Sequence, residues 1–208
     1  MILKTIIVGA LAVNCYVAGC DKTRMAAVID PGDDAAEILA VLKDGGLTLK
    51  YIILTHAHFD HSGAALELQK RTGAKVLIHK DDADMLSQTA AQGAMFGMAV
   101  SPPPKPDGYL KDGETLKVGE LILEVIETPG HSKGGISVYA RKEGAVFTGD
   151  TLFWGSVGRT DLPGGDYTAL MHSLKVRLAS LPDNTVVYPG HGDDTTIGFE
   201  KEQNPFLD

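Results

Sequence analysis

Residues 55–61 read Thr55-His56-Ala57-His58-Phe59-Asp60-His61. Three histidines and one aspartate lie within six residues, directly after the apolar run 51–55, which reads as a strand. Neutral imidazole and carboxylate are the ligand types that zinc, iron and manganese take. On a turn leaving a strand, His56 and His58 can face the same way while Asp60 and His61 swing to a neighbouring position. One short loop can therefore serve two ions, and a solvated loop has no reason to concentrate these residue types.

Three further ligand-type residues lie downstream. His131 sits in Thr128-Pro129-Gly130-His131-Ser132, Asp150 in Thr148-Gly149-Asp150-Thr151, and His191 in Tyr188-Pro189-Gly190-His191-Gly192. Each follows a predicted strand in a turn marked by glycine, which lets the backbone bend sharply and approach an ion closely. Each is weak alone; four such sites in order, all at strand ends, are strong together. His79 ends a strand and His172 lies in a helix, and both read as structural or solvated.

The surrounding pattern alternates strands and helices. Runs 3–8, 14–18 and 25–30 read as strands, and Asp33 or Asp34 can cap a helix running to about residue 43, ended by Gly45-Gly46. A helix over 62–72 stopped by Gly73, a strand at 75–79 and a helix near 81–88 follow. From 91 to 108, Gly93, Gly97, Pro102, Pro103, Pro104 and Pro106 break any regular element. That stretch is either a lid over a cleft or a crossover packing its apolar residues on the core. The second half repeats the theme: strands at 115–118, 121–128, 136–140 and 145–148, a helix over 166–181, a strand at 185–188 and a last helix at 196–202. Two sheets buried against each other under outer helices would give a four-layer α/β/β/α sandwich.

Composition narrows the function. The chain has 208 residues, 44% of them hydrophobic, enough for one substantial core. Net charge is 19 − 27 = −8 with no basic tract, which disfavours a nucleic-acid substrate. Cys15 and Cys20 are too few for a disulfide framework and read as thiols in a reducing compartment. The apolar start faintly resembles a lipoprotein signal, but Asn14 precedes Cys15 where a small residue is expected, and a strand hairpin fits better. No run approaches the roughly 20 apolar residues of a membrane span. The expectation is a cytoplasmic protein without a membrane partner; its oligomeric state is not legible.

In order and spacing, the HxHxDH block, the Pro-Gly-His, the Thr-Gly-Asp and the late Gly-His resemble the metallo-β-lactamase superfamily, and most closely its glyoxalase II (hydroxyacylglutathione hydrolase) branch. The segment 149–165 and the ending 190–198 resemble the short single-domain bacterial proteins of that branch. The resemblance implies an α/β, four-layer α/β/β/α sandwich formed by one domain over 1–208, without the C-terminal helical domain that helps grip glutathione in longer relatives. It implies that His56, His58 and His131 hold a first metal, that Asp60, His61 and His191 hold a second, and that Asp150 bridges both. The two divalent ions would be zinc first, with iron or manganese as alternatives. A bridging aspartate argues against antibiotic hydrolysis, and His58 argues against the flavodiiron branch, which has glutamate there.

The implied activity is hydrolysis of a small thioester, such as a hydroxyacylglutathione, by a metal-bridging hydroxide that Asp60 helps to orient. A thiol leaves as thiolate without a general acid, which suits thioesters better than amides. Of the family's glutathione contacts, a lysine corresponds to Arg159, which keeps the charge, whereas two tyrosines correspond to Asp161 and Asp193, which do not keep the chemistry. Arg159 can pair with a substrate carboxylate or with Asp161. The alternatives are a mononuclear-iron persulfide dioxygenase using His56, His131 and Asp150, and a lactonase or other ester hydrolase on the same site.

Overall fold

The computed structural model describes residues 1–207. Its first sheet contains β1 (Ile2–Val8), β2 (Val13–Gly19), β3 (Met25–Ile29), β4 (Thr48–Ile53), β5 (Lys75–His79) and β6 (Gly108–Leu110), in spatial order of sequence. β1, β2 and β3 pair antiparallel, and β3 to β6 run parallel. The parallel steps require crossovers, made by α1 (Ala35–Asp44), by α2 (Phe59–Ser62) with α3 (Ala65–Thr72), and by α4 (Ala83–Leu86) with α5 (Thr89–Met95). The second sheet contains β7 (Thr115–Val118), β8 (Leu121–Glu127), β9 (Ile136–Ala140), β10 (Ala145–Gly149), β13 (Val186–Pro189) and β14 (Thr195–Thr196), in the order β14-β13-β10-β9-β8-β7. Between β10 and β13 come the small hairpin β11 (Leu152–Phe153) and β12 (Ser156–Val157) and helix α6 (Tyr167–His172). Helix α7 (Ile197–Gln203) follows β14.

Period-two alternation along the strands builds the layers. Ala26, Val28, Ile52, Leu54, Val76 and Ile78 join α1 and α3 in one apolar cluster. Their neighbours Ala27, Ile29, Ile53 and Leu77 point the other way and meet Val125, Val138, Ala145 and Phe147 of the second sheet. The alternate residues Val146 and Tyr139 face Leu170, Leu174, Leu178 and Ile197. Three apolar layers separate four layers of secondary structure, so the α/β/β/α sandwich expected from the sequence is the observed fold.

Several boundaries differ from the sequence reading. Asp34 stands at the start of α1 but does not cap it: its backbone is left-handed (φ 53°) and its carboxylate accepts the Gly9 N–H instead, at 2.8 Å. The helix expected at 62–72 begins at Phe59 and is broken before Ala65, so Asp60 and His61 ride on a helical turn. Gly93 lies inside α5, contrary to expectation. Val100 folds back against it where any side chain would stand, so the glycine serves packing and not a break. The helix expected over 166–181 is α6 followed by a wider turn at Ser173–Leu178. Cys15 and Cys20 are buried free thiols, and no helix among the described residues is long and apolar enough to cross a membrane.

Candidate metal centre

The seven ligand-type residues meet at one edge of the sandwich, each just beyond the C-terminal end of a strand. His56 and His58 leave β4, and Asp60 and His61 follow on the first turn of α2. His131 follows β8, Asp150 follows β10 and His191 follows β13. Their donor atoms form two groups: His56 with His58 and His131, and Asp60 with His61 and His191, the atoms of each lying within 4.8 Å of one another.

Asp150 lies between the groups. Its Oδ2 is 3.6 Å from His131 Nε2 and 3.7 Å from His191 Nε2, and its Oδ1 is 3.4 Å from His61 Nε2. Two ligands on a tetrahedral ion with bonds near 2.1 Å stand about 3.4 Å apart, so these separations suit atoms that share ions. Gly190 makes the approach feasible: a Cβ there would collide with Asp150 Oδ1 and lie 2.7 Å from His61 Cε1.

A second set of contacts aims the rings. His131 Nδ1 donates to the Arg159 carbonyl at 2.8 Å and His191 Nδ1 to the Leu11 carbonyl at 3.1 Å. His61 Nδ1 meets Asp30 Oδ2 at 3.1 Å, and His56 Nδ1 meets Thr55 Oγ1 at 3.0 Å. Each contact leaves Nε2 directed into the centre, the arrangement that fixes tautomer and orientation of metal-binding histidines. His58 is the exception and presents Nδ1, 2.9 Å from His131 Nε2. Among the described residues, His56 Nε2, His61 Nε2 and Asp150 Oδ1 are buried with no hydrogen-bond partner. Such orphans are costly unless something occupies the space they face, and with these donors a cation fits.

The charges point the same way. Burial, and then the neighbouring imidazoles, hold His56 well below the usual histidine range and bring His58 down to about 3, so both are neutral and able to ligate. Burial opposes ionisation of Asp60, but His61 and His191 overcome it and keep the carboxyl well below its ordinary value. Burial likewise opposes charge on His61, yet Asp150, Asp60 and Asp30 around it push it up to about 10. A pocket that holds a proton so tightly is a pocket short of positive charge.

Arg159, the expected substrate contact, projects into solvent and forms a two-pronged ion pair with Asp161, both bonds at 2.7 Å. Asp193 is exposed at the turn after His191. His79 pairs with Glu127 at 3.1 Å and His172 is exposed, in line with their structural and solvated readings. Two buried carboxylates had escaped the sequence reading. Asp30 accepts from the Thr55 N–H at 2.7 Å and the Thr55 hydroxyl at 2.6 Å besides touching His61. Its atoms also fall in a group with His56 and His61, but these bonds occupy it as a support. Asp82 bonds to the loop of His56 and His58 and to that of His131. Asp30 had a signal, an acid ending an apolar strand; Asp82, among Asp81 and Asp84, had none.

The sequence profile of the metallo-beta-lactamase superfamily matches residues 8–191. The chain is 37% identical over 214 residues to "Hydroxyacylglutathione hydrolase GloC" of Haemophilus influenzae, covering 100% of this chain and 98% of that one. It is 37% identical over 201 residues to "Probable metallo-hydrolase YqgX" of Bacillus subtilis, covering 96% and 94%. Among solved structures it is similar to BLEG-1 B3 metallo-beta-lactamase (TM-score 0.93, 39% identity, 99% of each chain). It is similar to TTHA1623 in a di-iron-bound form (TM-score 0.91, 41% identity, 98% of this chain and 100% of that one). The likeness to ETHE1 from Myxococcus xanthus has a TM-score of 0.82 at 32% identity, over 99% of this chain and 84% of that one.

Proposed function

The chain belongs to the metallo-beta-lactamase superfamily, and from that premise we propose that it is a two-ion hydrolase of a small thioester such as a hydroxyacylglutathione. The observation that carries the reading is the position of Asp150, within 3.7 Å of nitrogens from both histidine groups. His56, His58 and His131 would hold the first ion, Asp60, His61 and His191 the second, and Asp150 both. When bound, the ions would lower the pKa of a coordinated water from about 15.7 towards about 7 and polarise the acyl oxygen.

The protein's own groups do the rest. Asp60 is kept ionised by His61 and His191, so it can accept a hydrogen bond from the attacking water and orient it. Gly190 leaves room for the Asp150 carboxylate between the two groups, because a Cβ there would collide with Asp150 Oδ1. A thiol with a pKa near 8.5 leaves as thiolate, so no side chain need protonate it; an amide or β-lactam nitrogen does need a proton. Arg159 is exposed and can exchange Asp161 for a substrate carboxylate in the same two-pronged geometry. The Haemophilus relative supports a glutathione thioester as the first substrate to try, and the di-iron-bound relative supports iron beside zinc as the metal to load.

The test is an assay of the metal-loaded protein on lactoylglutathione, simpler thioesters, a lactone and a β-lactam, with metal content measured by mass spectrometry. We expect thioester cleavage without oxygen uptake, and we expect Asp150→Ala to abolish it and to lose at least one ion per chain. Full rate and metal content in that variant would end the two-ion reading. Oxygen consumption with glutathione persulfide, at a content of one iron per chain, would replace it with the persulfide dioxygenase reading.

A further inference from the structure

Asp82 is a carboxylate with no exposed surface, at the end of the short helical turn that follows β5. Its hydrogen bonds go to two loops far apart in sequence. Oδ2 accepts from the Ala57 N–H at 3.0 Å and from the Ser132 hydroxyl at 2.7 Å, and Oδ1 accepts from the Gly134 N–H at 2.6 Å. Ala57 lies between His56 and His58, and Ser132 follows His131. One side chain thus ties together the two loops that carry all three nitrogens of the first group. The chain is packed tightly around this junction. A Cβ on Gly134 would stand 2.7 Å from Asp82 N, 2.9 Å from Asp82 Oδ1 and 2.9 Å from His79 Nδ1.

The second group has different supports. His61 rests on Asp30 and His191 on the Leu11 carbonyl, and an isolated bridge between Val13 and His191 joins that turn to β2. None of these contacts involves Asp82. Metal–nitrogen bonds near 2.0–2.1 Å demand close control of ligand positions, and bonds to an ionised acceptor are short and strong. A buried carboxylate is a costly way to join two loops, and rigid spacing of the ligands they carry is what it provides. We infer that Asp82 is the positioning residue of the first ion site: it sets the spacing of the His56–His58 loop against His131 and acts on that site alone.

The inference rests on the two-ion assignment, and the experiment separates the two. His191→Ala leaves the His56, His58 and His131 set intact, and His131→Ala leaves the Asp60, His61 and His191 set intact. Asp82→Asn, which keeps the shape but removes an acceptor, is placed in each background, and zinc is titrated against a chromophoric chelator. In the His191→Ala background Asp82→Asn weakens zinc binding about 10- to 100-fold, the usual range for losing a support behind the ligands, and in the His131→Ala background it changes affinity by less than about twofold. Equal losses in both backgrounds make Asp82 a general structural residue and overturn the inference, as does no loss in either. Gly134→Ala keeps the carboxylate but displaces the backbone it grips. It reproduces the selective loss, and it serves as the deciding variant if Asp82→Asn does not fold. The unaltered chain titrated alongside tests the premise: fewer than two ions per chain removes the two-ion assignment and this inference with it.

Discussion

His61 is enclosed by Asp30, Asp60 and Asp150, with no side-chain surface exposed. Without ions its pKa lies near 10 against an unfolded value of 6.5: burial works against the charge and the carboxylates outweigh it. The proton on His61 therefore stabilises the metal-free fold fully below about pH 6.5, and that contribution is lost as pH rises through about 10. His56 and His58, depressed by burial, act oppositely: they oppose folding only as pH falls below 6.5. We expect the melting temperature of the chelator-treated protein to decline from pH 7 to pH 10; a flat profile over that range would show that His61 carries no such proton. Arg159 supports a second expectation at this scale. Because its partner Asp161 is exposed, the pair is worth little to stability, so Arg159→Ala should leave the melting temperature within about 2 °C. It should raise KM for carboxylate-bearing thioesters more than for neutral ones, and equal effects on both would remove Arg159 from substrate binding. The seven ligand-type residues were legible because four of them cluster in residues 56–61 directly after an apolar strand and the other three each stand in a glycine-marked turn after one. Asp82 was not, because three acids within four residues at the start of the helix read near 81–88 look solvated until the fold buries one of them.

The long strands and the helices were legible, but the helix boundaries between β4 and β6 were not, for a physical reason. β3, β4 and β5 are buried on both faces by two apolar clusters, and this survives in the sequence as short unbroken apolar runs. The helices lie on the outside and answer to local packing. Gly32 and Gly63 press against each other beside Asp60, which breaks α2 from α3, and Val100 seats on Gly93 inside α5. Neither contact leaves a periodic trace. The hairpin β11–β12 is too short to show a pattern, and its anchor is Glu200 of α7. That carboxylate is fully buried and accepts from the Gly155 N–H (3.1 Å), the Thr195 hydroxyl (2.7 Å) and the Asn204 amide (2.6 Å). Glu200→Ala leaves these donors unsatisfied at about 1–3 kcal/mol each before relaxation. We expect a loss of roughly 3 kcal/mol in stability, read by denaturant unfolding, with both proposed ion sites retained because none of the seven ligand-type residues lies on the hairpin or α7. A loss below about 1 kcal/mol would mean that water replaces the carboxylate.

The centre joins the two halves of the sandwich. His56, His58, Asp60 and His61 come from the loop after β4 in the first sheet, and His131, Asp150 and His191 follow β8, β10 and β13 in the second. Each proposed ion takes ligands from both sheets, so each would act as a cross-link across the apolar layer between them. Direct bonds already make this junction without metal: Tyr16 Oη and Asn14 Nδ2 of β2 donate to the Pro189 carbonyl at 2.7 and 3.1 Å, and the Asn14 N–H donates to the Gly190 carbonyl at 2.7 Å. The metal-free chain should therefore be folded, with its sheets in register, while the orphaned Nε2 atoms of His56 and His61 and their charge imbalance remain uncompensated. Ions that bind only the folded state add about 2.7 kcal/mol each at a free concentration a hundred times Kd. For a chain of this size that is roughly 5–10 °C of melting temperature per ion. We expect chelation to lower the melting temperature by that amount or more while far-ultraviolet circular dichroism at 25 °C stays unchanged. Equal melting temperatures with zinc and with chelator would show that no ion bridges the sheets. Loss of the dichroism signal on chelation would show that the protein contacts across β2 and β13 are too weak to hold the halves together alone.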